Sequence, residues 1–474
     1  MNAITKITTT STINKADSYK TGHFLQYPDG ISKVVSYIES RGGLYDRLVF
    51  FGLQAWVKEN LLKPITMQDI DEMEVLTTAH GDVFNRGDWE TILREHKGFI
   101  PVKIRAIPEG MVVGPRIVLA TIENTDPRFS WLPQYLETNL LRGIWYPTTV
   151  ATRSFTIKGV LRKFAEETAE NEDLSFSLHD FGGRGATCSE QAVLGGMAHL
   201  VNFMGSDTLE GMIGAMRYYN ADKDGLSYSV PAAEHSTITS WGSTFEDETA
   251  AYENMLDQFL KKGSIVSVVS DSYDLFRAVK DLWGDKFKDR IEKSGGRLVV
   301  RPDSGEPKEI VLKTIEMLMD SFGFRINSKG YKVLPDCVRV IQGDGITETT
   351  IDEILNVLKD NQISSENVVF GCGGYLLQGM TRDTLKFAQK ACEIVVNGEI
   401  RGVNKNPATD HGKASKLGRH ETYMIAGKVV SLPEEEYKKG SIFRDRYPLM
   451  RDVYVNGKLI VDDNFKLIRE RANV

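Results

Sequence analysis

Cysteine is scarce in this sequence: Cys188, Cys337, Cys372 and Cys392 are the only four in 474 residues, and none forms a CxxC pair. That spacing points to neither a disulfide framework nor a cysteine-held zinc site. Long apolar runs are missing as well, and no stretch reaches the roughly 18 consecutive apolar residues that a membrane-crossing helix needs. The opening run MNAITKITTTSTINK is polar and threonine-rich, without the apolar segment of a secretory signal, so a cytoplasmic location is expected. Positive charge is not in excess: the formal net charge is −7, which gives no support to a nucleic-acid-binding surface. Any anionic ligand must be held by local Arg, Lys and backbone N–H groups. Neither GxxxxGK[ST] nor GxGxxG after a strand occurs, which argues against P-loop NTPase and dinucleotide chemistry. No lysine follows the buried strands where a Schiff-base aldolase would carry one.

What is present reads as a globular α/β protein, 41% apolar and 26% charged, and too long for one ordinary core. Residues from about 30 to 125 have strand texture, in SKVVSYIES, PVKIRAIPEG and RIVLATIENT, with Pro and Gly punctuation. Helical periodicity follows in WLPQYLETNLLRGIW and TTVATRSFTIKGVLRKFAEETAE. From about 175 to 395 the texture becomes βα repetition, with apolar strands at 265–270, 297–301, 338–342 and 367–371 separated by helical patterns. Continuous apolar strands alternating with helices imply a parallel sheet buried on both faces. The C-terminal stretch returns to β texture, and the Asn-Gly of YVNGKLIV predicts a hairpin. These textures divide the chain into 1–150 (α/β), 151–395 (βα, catalytic) and 396–474, a β-rich segment expected to pack back on the first.

Polar loops follow the four strands at once: SDSYD, RPDSG, QGDG and GCGG. In a β/α barrel such loops gather on the C-terminal face, where active sites lie. A barrel is therefore favoured over an open doubly wound sheet, which fits the periodicity nearly as well. Arg301 and Asp303 put a guanidinium that can clamp phosphate beside a carboxylate that can accept sugar hydroxyls or hold hydrated Mg²⁺. Gly343-Asp344-Gly345 repeats that idea, and Gly373 and Gly374 supply closely spaced N–H groups suited to phosphate. Leu178-His179-Asp180-Phe181-Gly182-Gly183-Arg184-Gly185 offers an aromatic and a cation before a helix. His235, with acidic Glu234 beside it, can act as a base or a phosphate acceptor. Taken singly, such loops are more often ordinary turns, and a lone histidine is more often structural. Four strand-end loops in succession are not.

These motifs, in order, resemble one family. DSYKTGH, ENTDP, HDFGGRG, GSDT, PAAEHST, SDSYD, RPDSG, VIQGDG and FGCGGYLLQ followed by TRD occur as in the nicotinamide phosphoribosyltransferases, from Asp17 to Arg419. The resemblance implies a type II phosphoribosyltransferase fold: an irregular β/α barrel with an N-terminal α/β domain. It implies transfer from 5-phosphoribosyl-1-pyrophosphate to nicotinamide, with inversion at C1. By this resemblance Phe181, and Tyr19 of a second subunit in a homodimer, stack on the pyridine ring. Arg184 and Asp207 meet its edge, Asp207 accepting from the carboxamide. Arg301, Asp303, Gly343, Asp344, Gly373 and Gly374 hold the ribose and its phosphate, while Arg382, Lys390, Lys405 and Lys413 serve phosphate and pyrophosphate. His235 matches the histidine phosphorylated when ATP hydrolysis is coupled, with Asp274 and Glu234 as plausible polar neighbours. Mg²⁺ is expected to travel on the pyrophosphate, without direct protein ligands. The chain departs from vertebrate members at Gly183, where they carry Tyr, and at Cys372-Gly373-Gly374-Tyr375, where they carry SGGG. Rival expectations are a nicotinate-specific enzyme of the same fold, against which Asp207 argues, a non-catalytic binding protein on this scaffold, and another phosphosugar barrel.

Overall fold

A computed structural model describes residues 7–8, 10–409, 414–435 and 446–473 of the chain. It forms two compact units, one comprising residues up to Thr152, Ala215–Ala221 and those from Met380 onward, the other Arg153–Gly214 and Asp222–Gly379.

The first unit is built on a seven-stranded antiparallel sheet. Its strand order is Glu399–Gly402, Phe387–Val396, Ile31–Ser40, Val118–Asn124, Val102–Ala106, Arg451–Val455 and Lys458–Leu459. The third strand, Ile31–Ser40, is buried from Val34 to Ser40, so its buried residues run on rather than alternate. Strand Phe387–Val396, which the sequence textures grouped with the βα repeats, pairs here with Ile31–Ser40. The C-terminal segment returns to this sheet, Arg451–Val455 pairing with Val102–Ala106. Asn456 and Gly457 turn it with φ of 47° and 86°, the left-handed pair that an Asn-Gly hairpin uses.

The two helical patterns around Pro147 are one helix, Glu137–Thr168. Proline leaves the Gly143 carbonyl without its helical donor and adds bulk toward a neighbouring turn. Gly52 accommodates that bulk: its φ is +108°, and a Cβ there would lie 2.2 Å from Pro147 Cγ. The Thr148 hydroxyl donates to the Phe51 carbonyl (2.9 Å), and Thr152 Oγ1 accepts from the Val49 amide (3.0 Å).

The second unit holds a six-stranded parallel sheet, in the order Gly205–Ser206, Leu178–Asp180, Val368–Cys372, Val338–Gln342, Arg297–Arg301 and Ile265–Val269. Its core residues Val268, Leu298, Val300, Val340 and Phe370 are fully buried, each contributing about 1.5–3 kcal/mol of burial. Helices Pro307–Phe322 and Glu348–Asp360 present apolar stripes that include Ile315, Leu318, Ile354 and Leu358. The two edges of the sheet are joined by an irregular stave. Tyr228 bridges Gly205 on one edge, and Ala232 bridges Ser267 on the other, both parallel. Amide bonds Ser206 to Tyr228 (3.1 Å) and Ala233 to Ser267 (3.0 Å) complete the closure. The sheet is thus an irregular barrel, not an open doubly wound sheet. Among the described residues, no helix is long and apolar enough to cross a membrane.

Candidate active site

The barrel brings together, at the C-terminal ends of its strands, residues far apart in the chain. Arg301 ends its strand, and Asp303 lies two residues beyond; Arg301 Nη2 is 3.6 Å from Asp303 Oδ2. The same carboxylate oxygen lies 4.0 Å from His235 Nδ1. His235 opens the short helix His235–Thr239 directly after the closing stave, and its Nε2 is 3.0 Å from Asp271 Oδ1. A carboxylate only accepts, so Nε2 donates to Asp271, and Nδ1 is the ring nitrogen on the side of Asp303. Asp271 is therefore the orienting residue. The two neighbours considered from sequence are engaged elsewhere: Asp274 accepts from the Arg277 amide (3.0 Å) to cap a helix, and Glu234 accepts from the Ser236 hydroxyl. Buried Arg301 Nε and Gln342 Oε1 have no hydrogen-bond partner among the described residues. A buried polar group without a partner calls for an explanation, and a bound ligand would supply one here.

Glycine makes the floor of the site. The Phe181 ring lies directly on the ends of two adjacent strands: a Cβ added to Gly371 would sit 2.0 Å from Phe181 Cε2, and one on Gly343 would sit 3.4 Å away. The turn that carries Arg184 packs as closely, since a Cβ on Gly185 would come within 2.7 Å of Gly374 Cα. The Phe181 amide donates to the Cys372 carbonyl (2.9 Å), fixing the aromatic beside the Gly373-Gly374 loop. Arg184 is exposed on this turn, and Asp344 is exposed on the neighbouring loop, its carbonyl accepting from Gln342 Nε2 (2.9 Å). The Cys372 thiol is pushed up to about 12 by burial, which removes it as a nucleophile at neutral pH.

Asp207 is tied to the same floor. Its amide donates to the carbonyl of Asp180, the residue before Phe181 (2.9 Å). Its carboxylate accepts from the Ser229 hydroxyl at 2.5 Å. Ser229 belongs to the closing stave; LSYSV alternates apolar and polar residues, but Pro231 cuts the run short and nothing in it marks Ser229 as a site residue. Asp180 itself is fully buried, with Oδ1 accepting from the Gly182 amide (2.7 Å).

Burial raises the Asp180 carboxyl to about 6 from 3.8, and Asp207 adds to the rise while the Gly182 amide opposes it. Its ionisation thus disfavours the folded state: the cost is absent below about pH 3.8, grows up to about pH 6 and stays constant above. Asp180→Asn keeps an acceptor for the Gly182 amide and removes that cost. The difference in Tm, variant minus wild type, is expected to grow between pH 4 and 7, toward a stabilisation of at most about 3 kcal/mol. Thermal denaturation across that range checks it, and a flat difference would remove Asp180 as the source.

Four expected site residues lie in the first unit. Tyr19 is 59% exposed on the turn Ser18–Lys20, its ring edge-on to His23 at 5.1 Å. Lys390 and Lys405 line a cleft of about 500 Å³ with His23, Gln26 and Tyr27. Lys390 is held below the usual lysine range by burial, with Glu137 3.9 Å away opposing the shift. Arg382 is exposed and pairs with Asp383 at 3.0 Å. Lys413 lies outside the described residues.

Two solved structures share this architecture over nearly the whole chain. The nicotinate-nucleotide pyrophosphorylase from Pyrococcus furiosus matches with a TM-score of 0.60 at 18% identity, over 100% of this chain and 97% of that one. Human nicotinic acid phosphoribosyltransferase matches with a TM-score of 0.57 at 16% identity, over 96% and 92%. The fold is that of the type II phosphoribosyltransferases. In sequence, the model of the nicotinate phosphoribosyltransferase (NAPRTase) family matches residues 176–457, and that of the nicotinamide phosphoribosyltransferase N-terminal domain matches 11–104. A nicotinamide phosphoribosyltransferase of Xanthomonas campestris pv. campestris is 49% identical over 85% of each chain, and one of Acinetobacter baylyi is 31% identical over 97% of this chain and 96% of that one. The chain belongs to this family and is a phosphoribosyltransferase.

Proposed function

We propose that the protein joins nicotinamide to 5-phosphoribosyl-1-pyrophosphate, releasing nicotinamide mononucleotide and pyrophosphate, in NAD biosynthesis in the cytoplasm. The observation that carries this reading is the pairing of an aromatic ring on the strand ends with one tethered carboxylate. Phe181 lies on Gly343 and Gly371, and Asp207 is tied to the residue before it. An aromatic face suits a flat, electron-poor ring, and a carboxylate accepts from a carboxamide N–H. Arg184 meets the edge of the ring.

Arg301, Asp303, Gly343, Asp344, Gly373 and Gly374 are assigned to the phosphoribose. Arg301 is a fixed, five-donor cation suited to phosphate oxygens, and Asp303 beside it favours the positive charge that develops at C1 as pyrophosphate departs. Mg²⁺ would arrive on the pyrophosphate, without direct protein ligands, and would neutralise the leaving group. Arg382, Lys390, Lys405 and Lys413 are assigned to phosphate and pyrophosphate. A second copy of the chain would supply the exposed Tyr19 as the other aromatic face, making the active unit a homodimer.

His235 is proposed to accept the γ-phosphoryl group of ATP on Nδ1. The nitrogen lone pair forms the N–P bond as ADP leaves, and Asp271 holds the Nε2 proton and stabilises the cationic ring. The purified protein should form nicotinamide mononucleotide from nicotinamide, far faster than it forms the acid nucleotide from nicotinate, and ATP should stimulate it. His235→Ala is expected to abolish both the phosphoenzyme, read by intact mass, and the stimulation by ATP. Phosphorylation that persists in the variant overturns the role of His235, and a preference for nicotinate overturns the reading of the site.

A further inference from the structure

The floor of the site stands on a network the proposed chemistry does not use. Arg153, in helix Glu137–Thr168, is only 1% exposed. Its guanidinium carbon lies 4.0 Å from the centre of the Tyr375 ring. One of its nitrogens donates to the Tyr375 carbonyl, and another donates to the Gly379 carbonyl (2.8 Å). Its Nε is 3.5 Å from Glu348 Oε1, and the other oxygen of Glu348 accepts from the Tyr375 hydroxyl at 2.5 Å. Glu348 opens the helix after the Gly343-Asp344-Gly345 loop, and Tyr375 lies in the short helix Gly374–Gln378 after Gly373. A second strut runs alongside, from the Cys372 thiol to the Ile346 carbonyl (3.3 Å).

Each end of the network therefore sits within a few residues of one of the two loops assigned to the phosphoribose. A tyrosine is a costly way to fill this position unless its hydroxyl is used, since burial of that group requires a partner. Here the partner is a carboxylate from the other loop, and the bond is charge-assisted, the stronger class of hydrogen bond. The paired Arg153 supplies the countercharge that a half-buried glutamate requires. A ring stacked under a guanidinium and bonded at its far end has little freedom to rotate. The loops it joins are glycine-rich, and besides this network the Cys372–Ile346 strut and the Phe181 ring on Gly343 and Gly371 are the side-chain contacts that tie them.

We propose that Tyr375 and Glu348 are positioning residues that hold the 343–345 and 373–374 loops at a fixed spacing, so that the phosphoribose meets a preformed platform. This rests on the assignment of those loops to the phosphoribose in the proposed function. Ordering that is complete before binding does not weaken affinity, so its loss falls on KM for 5-phosphoribosyl-1-pyrophosphate and spares the nicotinamide pocket.

Tyr375→Phe removes the hydroxyl and keeps the ring under Arg153. It is expected to raise KM for 5-phosphoribosyl-1-pyrophosphate about five- to tenfold, leaving kcat and KM for nicotinamide within about twofold. Glu348→Gln retains an acceptor for the hydroxyl and is expected to raise the same KM by less. Asp344→Asn reports on the platform itself. If Asp344→Asn raises KM for 5-phosphoribosyl-1-pyrophosphate and Tyr375→Phe does not, the positioning role is wrong while the loop assignment stands. If neither changes it, the loop assignment is wrong as well. A lower Tm in Tyr375→Phe with all three kinetic constants unchanged would reduce the network to a support of the fold and overturn the proposal.

Discussion

Arg301→Ala is expected to lower kcat/KM for 5-phosphoribosyl-1-pyrophosphate by about two to three orders of magnitude. The size follows from where the guanidinium stands and from what it would do there. Arg301 closes a strand whose preceding residues are buried, so its backbone is fixed; its side chain is 19% exposed and lies beside Asp303. Its Nη2 reaches Asp303 at only 3.6 Å, a distance of attraction rather than a formed hydrogen bond, and Nε has no partner among the described residues. A cation with unengaged donors can bind a phosphate oxygen without first breaking a good bond. Removing one preorganised donor from developing negative charge typically costs about 2.7–4 kcal/mol, which is the stated range in rate. A further loss comes from Asp303, whose charge would then face the incoming phosphates without its counterion. Arg301→Ala/Asp303→Asn should therefore lose less than the sum of the two single losses. Arg301→Lys should recover only part of the activity, because an ammonium is a point charge and cannot fork between two oxygens. Steady-state kinetics with varied 5-phosphoribosyl-1-pyrophosphate reads all of these variants. An Arg301→Ala enzyme within tenfold of wild type would take Arg301 out of the phosphate site.

The parts of this site that were legible in sequence are those that a buried strand announces. The runs ending at Val269, Arg301, Gln342 and Cys372 are apolar and β-branched because both faces of each strand are covered, and the polar residues that follow mark where burial stops. Arg301, Asp303, Gly343 and Gly373 could be placed at the mouth of the barrel on that ground alone. The stave that closes the barrel could not. Residues 228–233 make only a few backbone bonds to either edge, and Pro231 cuts short the apolar–polar alternation of LSYSV. Ser229 was invisible for that reason, although it holds Asp207. The orienting partner of His235 was missed for a different one: SDSYD offers two aspartates, and only their distance from the last strand residue decides their fates. Asp271 follows the strand closely and turns inward, whereas Asp274 is already the cap of a helix. Pro147 lies inside the helix Glu137–Thr168, and the reason it is tolerated there was not legible. Proline usually ends a helix, but the glycine at 52 leaves room for its ring, and that glycine is 95 residues distant in sequence.

Substrate choice is the sharpest test of the nicotinamide assignment. Asp207→Asn is expected to reduce the preference for nicotinamide over nicotinate, as a ratio of kcat/KM, by about 30- to 150-fold. In the wild type a nicotinate carboxylate would face the Asp207 carboxylate, whereas a carboxamide donates to it. Close like charges in a desolvated site cost several kcal/mol. Asp207 is exposed here, so solvent screening reduces that to about 2–3 kcal/mol, from which the fold-change follows. Most of the change should appear as a gain with nicotinate, because the variant removes a repulsion and can present either an acceptor or a donor. Nicotinamide should lose much less, since the amide oxygen introduced by the substitution still accepts from the carboxamide. The Ser229 hydroxyl strengthens the case that geometry as well as charge is at work. At 2.5 Å from Asp207 Oδ1 it fixes which oxygen remains for the substrate. Ser229→Ala should accordingly weaken nicotinamide binding while leaving the exclusion of nicotinate largely intact, since the charge remains. Competition assays with the two bases in one reaction give the ratio directly. An unchanged ratio in Asp207→Asn would move the recognition of the carboxamide elsewhere, and Arg184, on the turn next to Phe181, would be the residue to examine first.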